Sequence, residues 1–169
     1  MLIIFSGLPG TGKTTLARDL AHRIGAVHLR IDSIEQAIRM AGDPSKPVND
    51  EGYRVAYAVA GDNLQLGRTV IADSVNPVQE TRDAWVEVAK MVRSRVVEIE
   101  VQCSDLREHQ RRVEIRITDI PGLRLPTWQE VLAREYDPWD REHLVVDTAG
   151  RSVSENVDAI CEAVRTKGG

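Results

Sequence analysis

The chain has few cysteines, few aromatic residues and no long apolar run. Its two cysteines are Cys103 and Cys161, and phenylalanine, tryptophan and tyrosine make up 4% of the 169 residues. Cysteines this far apart match no metal-ligand spacing, and without a secretion signal we expect reduced, inert thiols. The longest early apolar run, Leu2 to Phe5, is too short for a signal peptide or a membrane span. These absences predict a cytoplasmic protein without a membrane partner.

An excess of positive charge is also absent. Lysine and arginine number 22 against 26 aspartate and glutamate residues, so the formal net charge is −4 at pH 7. Proteins that grip nucleic acid regardless of sequence need a positive field, so nucleic acid is a disfavoured partner, although a local basic patch stays open. The length and an ordinary 28% of charged residues predict one domain, residues 1–169, of unknown oligomeric state.

Strand-like and helix-like segments alternate along the chain, which predicts an α/β domain around a parallel sheet with helices on both faces. The predicted strands are Leu2–Ser6, Val27–Ile31, Thr69–Asp73, Arg95–Val101 and His143–Asp147. The near-continuous apolar or β-branched runs LIIF, TVIAD, VVEIEV and LVVD at their centres are typical of strands that are buried on both faces. Capping-box spacing predicts that helices start at Ser33, Thr127 and Ser152. Glycine and proline predict a loop over residues 41–50, and Trp85 falls on an apolar helical stripe.

A glycine-rich segment follows the first predicted strand and opens a helix. Residues 7–14, GLPGTGKT, match the pattern G-x-x-x-x-G-K-S/T of a phosphate-binding loop (P-loop). Glycines let the backbone N–H groups surround an anion, and the start of the helix adds the positive end of its dipole. Lys13 is expected to contact the β- and γ-phosphates, and the Thr14 hydroxyl to bind Mg²⁺. The predicted nucleotide-binding residues are Gly7, Leu8, Pro9, Gly10, Thr11, Gly12, Lys13, Thr14 and Thr15.

Other sequence features narrow the class of nucleotide-binding protein. The chain has no N-K-x-D motif of GTPases and no L-S-G-G-Q signature of ABC ATPases, and it is short for an ATPase with a second domain. Small phosphotransferases remain. Asp32 follows the second predicted strand and Asp73 ends the third, so both carboxylates should lie at the sheet edge that holds the P-loop. We assign Asp32 to the acceptor hydroxyl, and Asp73 to the metal or the acceptor.

An arginine-rich segment, residues 104–127, is the candidate lid. At helical spacing Leu106, Val113 and Ile117 share an apolar face, while the arginines divide into two pairs on different flanks: Arg107 with Arg111, and Arg112 with Arg116. One pair is expected to face the nucleotide, where a guanidinium suits the transferred phosphoryl group. We favour Arg112 and Arg116, whereas a solvated, charged helix face is the alternative.

Together these motifs resemble the polynucleotide-kinase-like and zeta-toxin-like branch of P-loop kinases. The resemblance rests on GLPGTGKTT, HLRID, TVIADSVNPVQETRDAW and the arginine-rich segment. It implies a P-loop NTPase fold with the strand order 2-3-1-4-5, ATP as donor and a hydroxyl acceptor. It also implies that Asp32 is the base, that Asp73 positions the acceptor, that Arg116 or Arg112 stabilises the transferred group, and that the loop from Thr148 to Arg151 holds adenine.

The expected activity is ATP- and Mg²⁺-dependent phosphorylation of a small-molecule hydroxyl. Residues 33–66 should form the acceptor pocket, with Tyr53, Arg54 and Tyr57 as candidate lining residues. Phage polynucleotide kinase has consecutive aspartates where this chain has Asp32-Ser33, and this difference favours a small acceptor. Two alternatives stay open: a 5′-hydroxyl polynucleotide kinase, and a nucleotide-binding switch or ATPase without an acceptor.

Overall fold

Five parallel strands form a single sheet in the order β2-β3-β1-β4-β5 in the computed structural model, which describes residues 1–43 and 47–166. This order and the layers of helices on both faces confirm the predicted fold. Each strand lies within one residue of its predicted bounds at either end. The strands are β1 (Leu2–Ser6), β2 (Val27–Arg30), β3 (Val70–Asp73), β4 (Val96–Gln102) and β5 (Leu144–Asp147).

Helices connect the strands, as parallel pairing requires. Gly25 ends the first helix in the left-handed conformation, where the apolar stripe of the sequence also stops. The helices of the described residues are α1 (Lys13–Ile24), α2 (Ile31–Ala41), α3 (Glu51–Gln65), α4 (Gln79–Met91), α5 (Leu106–Ile115), α6 (Trp128–Leu132) and α7 (Val153–Thr166).

The sheet separates two apolar clusters. On one face Ile3 and Phe5 of β1 pack with residues of α1 and α7. On the other face Leu2 and Ile4 pack with residues of α3 and α4, including the fully buried Trp85. Because every residue of β1 is buried, the strand that leads into the P-loop lies at the centre of the molecule.

The predicted helix starts have mixed outcomes. Thr127 and Glu130 form the predicted capping box of α6, and Ser152 exchanges hydrogen bonds with Glu155 at the start of α7. The prediction for Ser33 is wrong, because α2 begins at Ile31, directly after β2. Part of the loop predicted over residues 41–50 lies outside the described residues, which omit 44–46. In the described ranges, no helix is both long enough and apolar enough to cross a membrane.

The parallel arrangement brings three connections to one edge of the sheet. The carboxyl ends of β1, β2 and β3 lead into the P-loop, into α2 and into the segment before α4. Arg30 and Asp73 are partners in the β2–β3 register, while Phe5 and Asp73 are partners between β1 and β3. This edge is where ligands bind in open parallel sheets.

Candidate active site

The P-loop has the backbone of an anion-binding turn. Gly7, Gly10 and Gly12 have φ values of 132°, 86° and 102°, a region that residues with a side chain rarely adopt. A Cβ atom on Gly7 would lie 2.2 Å from the Val101 carbonyl oxygen, and one on Gly10 would lie 2.4 Å from Cγ2 of Val113. The backbone conformation therefore favours glycine at all three positions, and the lack of space requires it at Gly7 and Gly10 as well.

The first turn of α1 is open to an anion. Among the residues that the structure describes, no side chain caps this helix, and its first turn contains no acidic residue. The first N–H groups of a helix have no intrahelical acceptor, and the helix dipole makes this end positive. The chain thus offers a phosphate both backbone donors and a positive potential at Gly12 and Lys13.

Lys13 is a buried cation, with 7% of its surface exposed. Its Nζ donates a hydrogen bond of 2.8 Å to the carbonyl oxygen of Leu8, which also accepts one from the Thr11 hydroxyl. Burial lowers the pKa of Lys13 to about 8, while Asp73 and Asp32 act in the opposite direction. The two carboxylates singled out in the sequence are therefore close enough to influence the P-loop lysine.

Asp73 is held from the neighbouring strand by a histidine. Its side chain is 2% exposed, and the Nε2 of His28 lies 3.1 Å from its Oδ2. The sequence analysis missed His28, although the alternation of β2 contains the signal. Val27 and Leu29 belong to the apolar cluster under α3 and α4, so His28 between them faces the side of α1.

Asp32 is exposed and lies in the first turn of α2. It does not cap the helix, because Arg30 occupies the N-cap position. Over the described ranges 1–43 and 47–166, no hydrogen bond or ion pair engages the Asp32 carboxylate. Its negative charge, after burial, helps to raise the pKa of Glu35 one turn later. This carboxylate is therefore accessible to a ligand, and its role as the base stays a prediction.

The arginines of the candidate lid have different environments. Arg112 donates to Thr148 Oγ1 at 2.7 Å and to its carbonyl oxygen at 3.0 Å, and it pairs with Glu108 at 2.6 Å. Arg116 is half-buried at the end of α5, and its Nε has no acceptor among the described residues. Burial lowers the pKa of Arg116, with Asp32 acting against this shift. Of Arg112 and Arg116, it is therefore Arg116 that has a buried N–H donor without a protein acceptor.

The predicted apolar face of the lid is wrong at two of its three positions. Val113 is 4% exposed, but Leu106 is 66% and Ile117 94% exposed. The helix ends at Ile115, so Ile117 lies beyond it. The buried face of α5 is formed instead by Val113 and His109, both of which lie against Gly10.

His109 fastens α5 to the P-loop and was not predicted. It is 4% exposed, and its Nε2 lies 2.8 Å from the Pro9 carbonyl oxygen. Since a carbonyl only accepts, Nε2 must carry the proton. The ring also packs edge-on against Trp128, with 5.1 Å between the centroids. Helix α5 therefore supports the P-loop. Movement of residues 104–127 as a lid stays a prediction.

A third arginine, Arg134, was also missed. It follows α6, and together with Arg116 it lowers the pKa of Lys13. It lies close enough to Glu35 to act against the raised pKa of that residue as well. Only the tertiary fold brings it near the P-loop, because it lies more than a hundred residues further along the chain. The sequence around it contains no signal for this position.

The three candidate residues of the acceptor segment have different environments. Tyr57 packs edge-on against Trp85, with centroids 4.6 Å apart, and belongs to the core. The hydroxyl of Tyr53 lies beside Ser74, at the end of β3, and burial raises its pKa to about 12. Arg54 is exposed. Of the three candidate lining residues, Tyr53 is the one that approaches the sheet edge.

The side chains fit a magnesium ion that is shared with phosphate oxygens. In the described part of the chain no group of three or more His, Cys, Asp or Glu residues could hold a metal. Mg²⁺ in phosphoryl-transfer sites uses one or two protein ligands, with phosphates and water as the others. Thr14, which is half-buried at the start of α1, and the buried Asp73 are of the residue types that such a smaller set requires, and their binding of Mg²⁺ stays a prediction. Arg151 is exposed after β5, and its adenine contact stays a prediction.

Known proteins are similar to this chain in sequence and in fold. A family described as AAA domain (AAA_33) matches residues 2–134. Adenylyl-sulfate kinase of Synechococcus sp. (strain JA-3-3Ab) is 26% identical over 175 residues, which cover 97% of this chain and 93% of that protein.

Two solved structures show the same fold. APS kinase CysC of Mycobacterium tuberculosis, in complex with AMPPNP and APS, has a TM-score of 0.71 at 19% identity and covers 97% of this chain and 96% of its own. Kti12 of Chaetomium thermophilum, in complex with ADP-AlF3, has a TM-score of 0.68 at 24% identity, with coverages of 97% and 99%. The region matched by the family contains every candidate site residue except those of the loop from Thr148 to Arg151. The chain therefore belongs to the AAA domain (AAA_33) family.

Proposed function

We propose that the protein transfers the γ-phosphoryl group of ATP to a hydroxyl group of a small molecule, with Mg²⁺. The observation that carries this proposal is the buried Lys13 of an anion-binding loop, influenced by two carboxylates from neighbouring strand ends. A module that only binds nucleotide has no use for Asp32, a free carboxylate on the acceptor side. The adenylyl-sulfate kinase relative supports a small acceptor. Membership of the polynucleotide-kinase-like and zeta-toxin-like branch stays a prediction.

The chemistry follows from the positions of these groups. The Asp32 carboxylate accepts the proton of the acceptor hydroxyl, whose oxygen attacks the γ-phosphorus. The bond between that phosphorus and the β–γ bridging oxygen breaks, and ADP leaves. Lys13, the P-loop amides and Arg116 stabilise the negative charge on the transferred group. Magnesium, when bound, neutralises charge on the β- and γ-phosphates, with Thr14 and Asp73 as its protein ligands.

Replacing Asp32 separates transfer from binding. Asp32→Asn should lower kcat by about a hundredfold or more, because general-base groups contribute 10²–10⁴. ADP affinity, measured by calorimetry with Mg²⁺, should stay within about threefold of the wild type. Asp62→Asn, at an exposed position on α3, is the matched control and should change neither quantity. Wild-type turnover of an identified acceptor by Asp32→Asn would refute the assignment.

Substitutions of the two lid arginines should have different effects in the same assay. Arg116→Met should reduce kcat with little change in stability, because its guanidinium has a donor without a protein acceptor. Arg112→Met should lower the melting temperature instead, since Arg112 joins α5 to Thr148. Thermal unfolding measured beside kcat distinguishes the two effects. An Arg112→Met protein that is stable but slow would reverse the assignment.

Identifying the acceptor requires a screen. A panel of hydroxyl compounds and a 5′-hydroxyl oligonucleotide, scored by acceptor-stimulated ADP release, should show stimulation by a small molecule and not by the oligonucleotide. Stimulation by the oligonucleotide alone would establish the polynucleotide kinase instead. Equal ADP release with every compound and without one would establish an ATPase.

A further inference from the structure

A cleft of about 340 Å³ opens beside the candidate active site. It lies between α1, the end of β2, the start of α2 and the segment that joins α5 to α6. The charged side chains that line it are Arg18, Arg30 and Asp119. Ser33, the residue after Asp32, also lines it, so the cleft borders the proposed position of the acceptor hydroxyl.

One carboxylate occupies the positive side of this cleft. Asp119 accepts from Nη2 of Arg18 at one oxygen and from Nη1 of Arg30 at the other, each at 2.7 Å. The two guanidinium groups belong to different elements, α1 and β2, and Asp119 bridges them. Their donated hydrogen bonds hold the pKa of Asp119 far below its usual range.

Arg30 has the more buried of the two guanidinium groups. Its side chain is 15% exposed, whereas that of Arg18 is 59% exposed. The Nε of Arg30 is buried, and no atom of the described residues accepts its hydrogen bond. A planar guanidinium offers donors in pairs, which match the oxygens of a carboxylate, sulfate or phosphate. Arg30 therefore has donor capacity that Asp119 does not satisfy.

Asp119 can leave without unfolding its segment. Its side chain is 55% exposed, so rotation about the side-chain bonds carries it into solvent. The backbone nearby is fastened independently, because Gln36 of α2 donates to the Pro121 carbonyl oxygen at 3.1 Å. Of the described lining residues, Asp119 is the sole carboxylate, so the cleft without it has two cations and no negative charge.

We propose that this cleft binds an anionic group of the acceptor, a carboxylate, sulfate or phosphate, and that Asp119 is the resident carboxylate which this group displaces. The inference rests on the proposed kinase function and narrows its substrate to a small acid with a free hydroxyl. The anion lies between Arg18 and Arg30, while the hydroxyl reaches Asp32 past Ser33. The volume of the cleft suits such a small group rather than a polymer.

Inorganic sulfate is the probe for this site, measured by calorimetry at constant ionic strength. A Lys13→Ala background reduces binding of sulfate to the P-loop. In that background Asp119→Asn should tighten sulfate binding about fivefold, because the Asp119 carboxylate no longer competes with sulfate for Arg18 and Arg30. Adding Arg30→Gln should weaken it at least tenfold. Arg23→Gln is the matched control, since Arg23 of α1 pairs with Asp19 and Asp158 away from the cleft, and it should have no effect.

Three results would overturn the proposal. These are equal sulfate affinity with and without Asp119→Asn, full affinity after Arg30→Gln, and sulfate that fails to raise the KM of the acceptor found in the screen. A protein that binds no ATP would refute the kinase function instead, and it would leave the sulfate titration unchanged. The two failures are therefore distinguishable.

Discussion

Lys13 is a residue whose buried charge serves ligand binding and lowers the stability of the folded protein. Its side chain is buried, and the hydrogen-bond partner of its ammonium group is a neutral carbonyl. Asp32 and Asp73 influence it without forming an ion pair with it in the described ranges. A cation in this setting is stabilised fully only when phosphate oxygens arrive.

A pH series tests this view of Lys13. Its pKa falls from an ordinary 10.5 in the unfolded chain to about 8 in the folded one, so the folded state loses the proton first. The cost of holding the charge is complete below pH 8, and it disappears as the pH rises towards 10.5. Lys13→Met should therefore unfold with a free energy on the order of 2 kcal/mol higher than the wild type at pH 7.

That advantage should shrink between pH 8 and 10.5, which denaturant unfolding at several pH values can measure. Lys90→Met, at an exposed position on α4, is the control and should show no comparable trend. An advantage that stays constant across the series would show that Lys13 keeps its ordinary pKa.

At the scale of elements, the P-loop and α5 form one unit. His109 donates to the loop, Val113 packs on Gly10, and Arg112 joins the helix to the loop after β5. The loop geometry is thus supported from outside by a helix about a hundred residues later in the chain. Preorganisation of this kind holds backbone donors in place before the ligand binds.

The contact between Gly10 and Val113 can be tested by a double-mutant cycle. Gly10→Ala places a methyl group 2.4 Å from Cγ2 of Val113, so it should destabilise the fold and weaken ADP binding. Val113→Ala makes room, and the double variant should be at least about 1 kcal/mol more stable than the sum of the single effects predicts. Denaturant unfolding measures this coupling.

Gly12 provides the matched comparison for that cycle. It has a similar φ of 102°, but a Cβ atom there would make an ordinary contact of 3.6 Å with Thr148. Gly12→Ala should therefore show no coupling to Val113→Ala. Coupling of equal size at both glycines would mean that backbone strain, rather than the methyl contact, decides the result.

Across the whole molecule, Arg82 connects segments that are far apart in the chain. It is 1% exposed and donates to the carbonyl oxygens of Asn76, Pro77, Asp137 and Pro138. Its guanidinium also lies 4.4 Å from the centroid of the Trp139 ring. These contacts fasten the chain between α6 and β5 to the connection that follows β3.

Removing this buried cation should be costly. Arg82→Met leaves four carbonyl groups without their charged donor, so we expect a loss of about 3 kcal/mol or more in the free energy of unfolding. Denaturant unfolding measures it, and Arg23→Met, at the surface of α1, should change stability little. If the free energy of unfolding falls by the same small amount in both variants, water molecules have replaced Arg82 as donors to the carbonyl groups.

Sequence patterns predicted the structural features that depend on residues close together in the chain. The strands, the P-loop and two capping boxes follow from apolar runs, glycines and short-range spacing, so neighbouring residues contain the whole signal. His28, His109, Arg134 and Arg82 gain their roles from contacts between distant segments, so one sequence does not reveal them. The start of α2 was misplaced because β2 passes into the helix without a side-chain cap in the described residues.

The central position of β1 also has a consequence during protein synthesis. Leu2 is synthesised well before its partners in the sheet, which are Val70 and Val96. A strand with four apolar residues in succession therefore stays unpaired until its partner strands have been synthesised. During this interval chaperones or premature association compete for it, so slower translation before β4 should lower the yield of native protein.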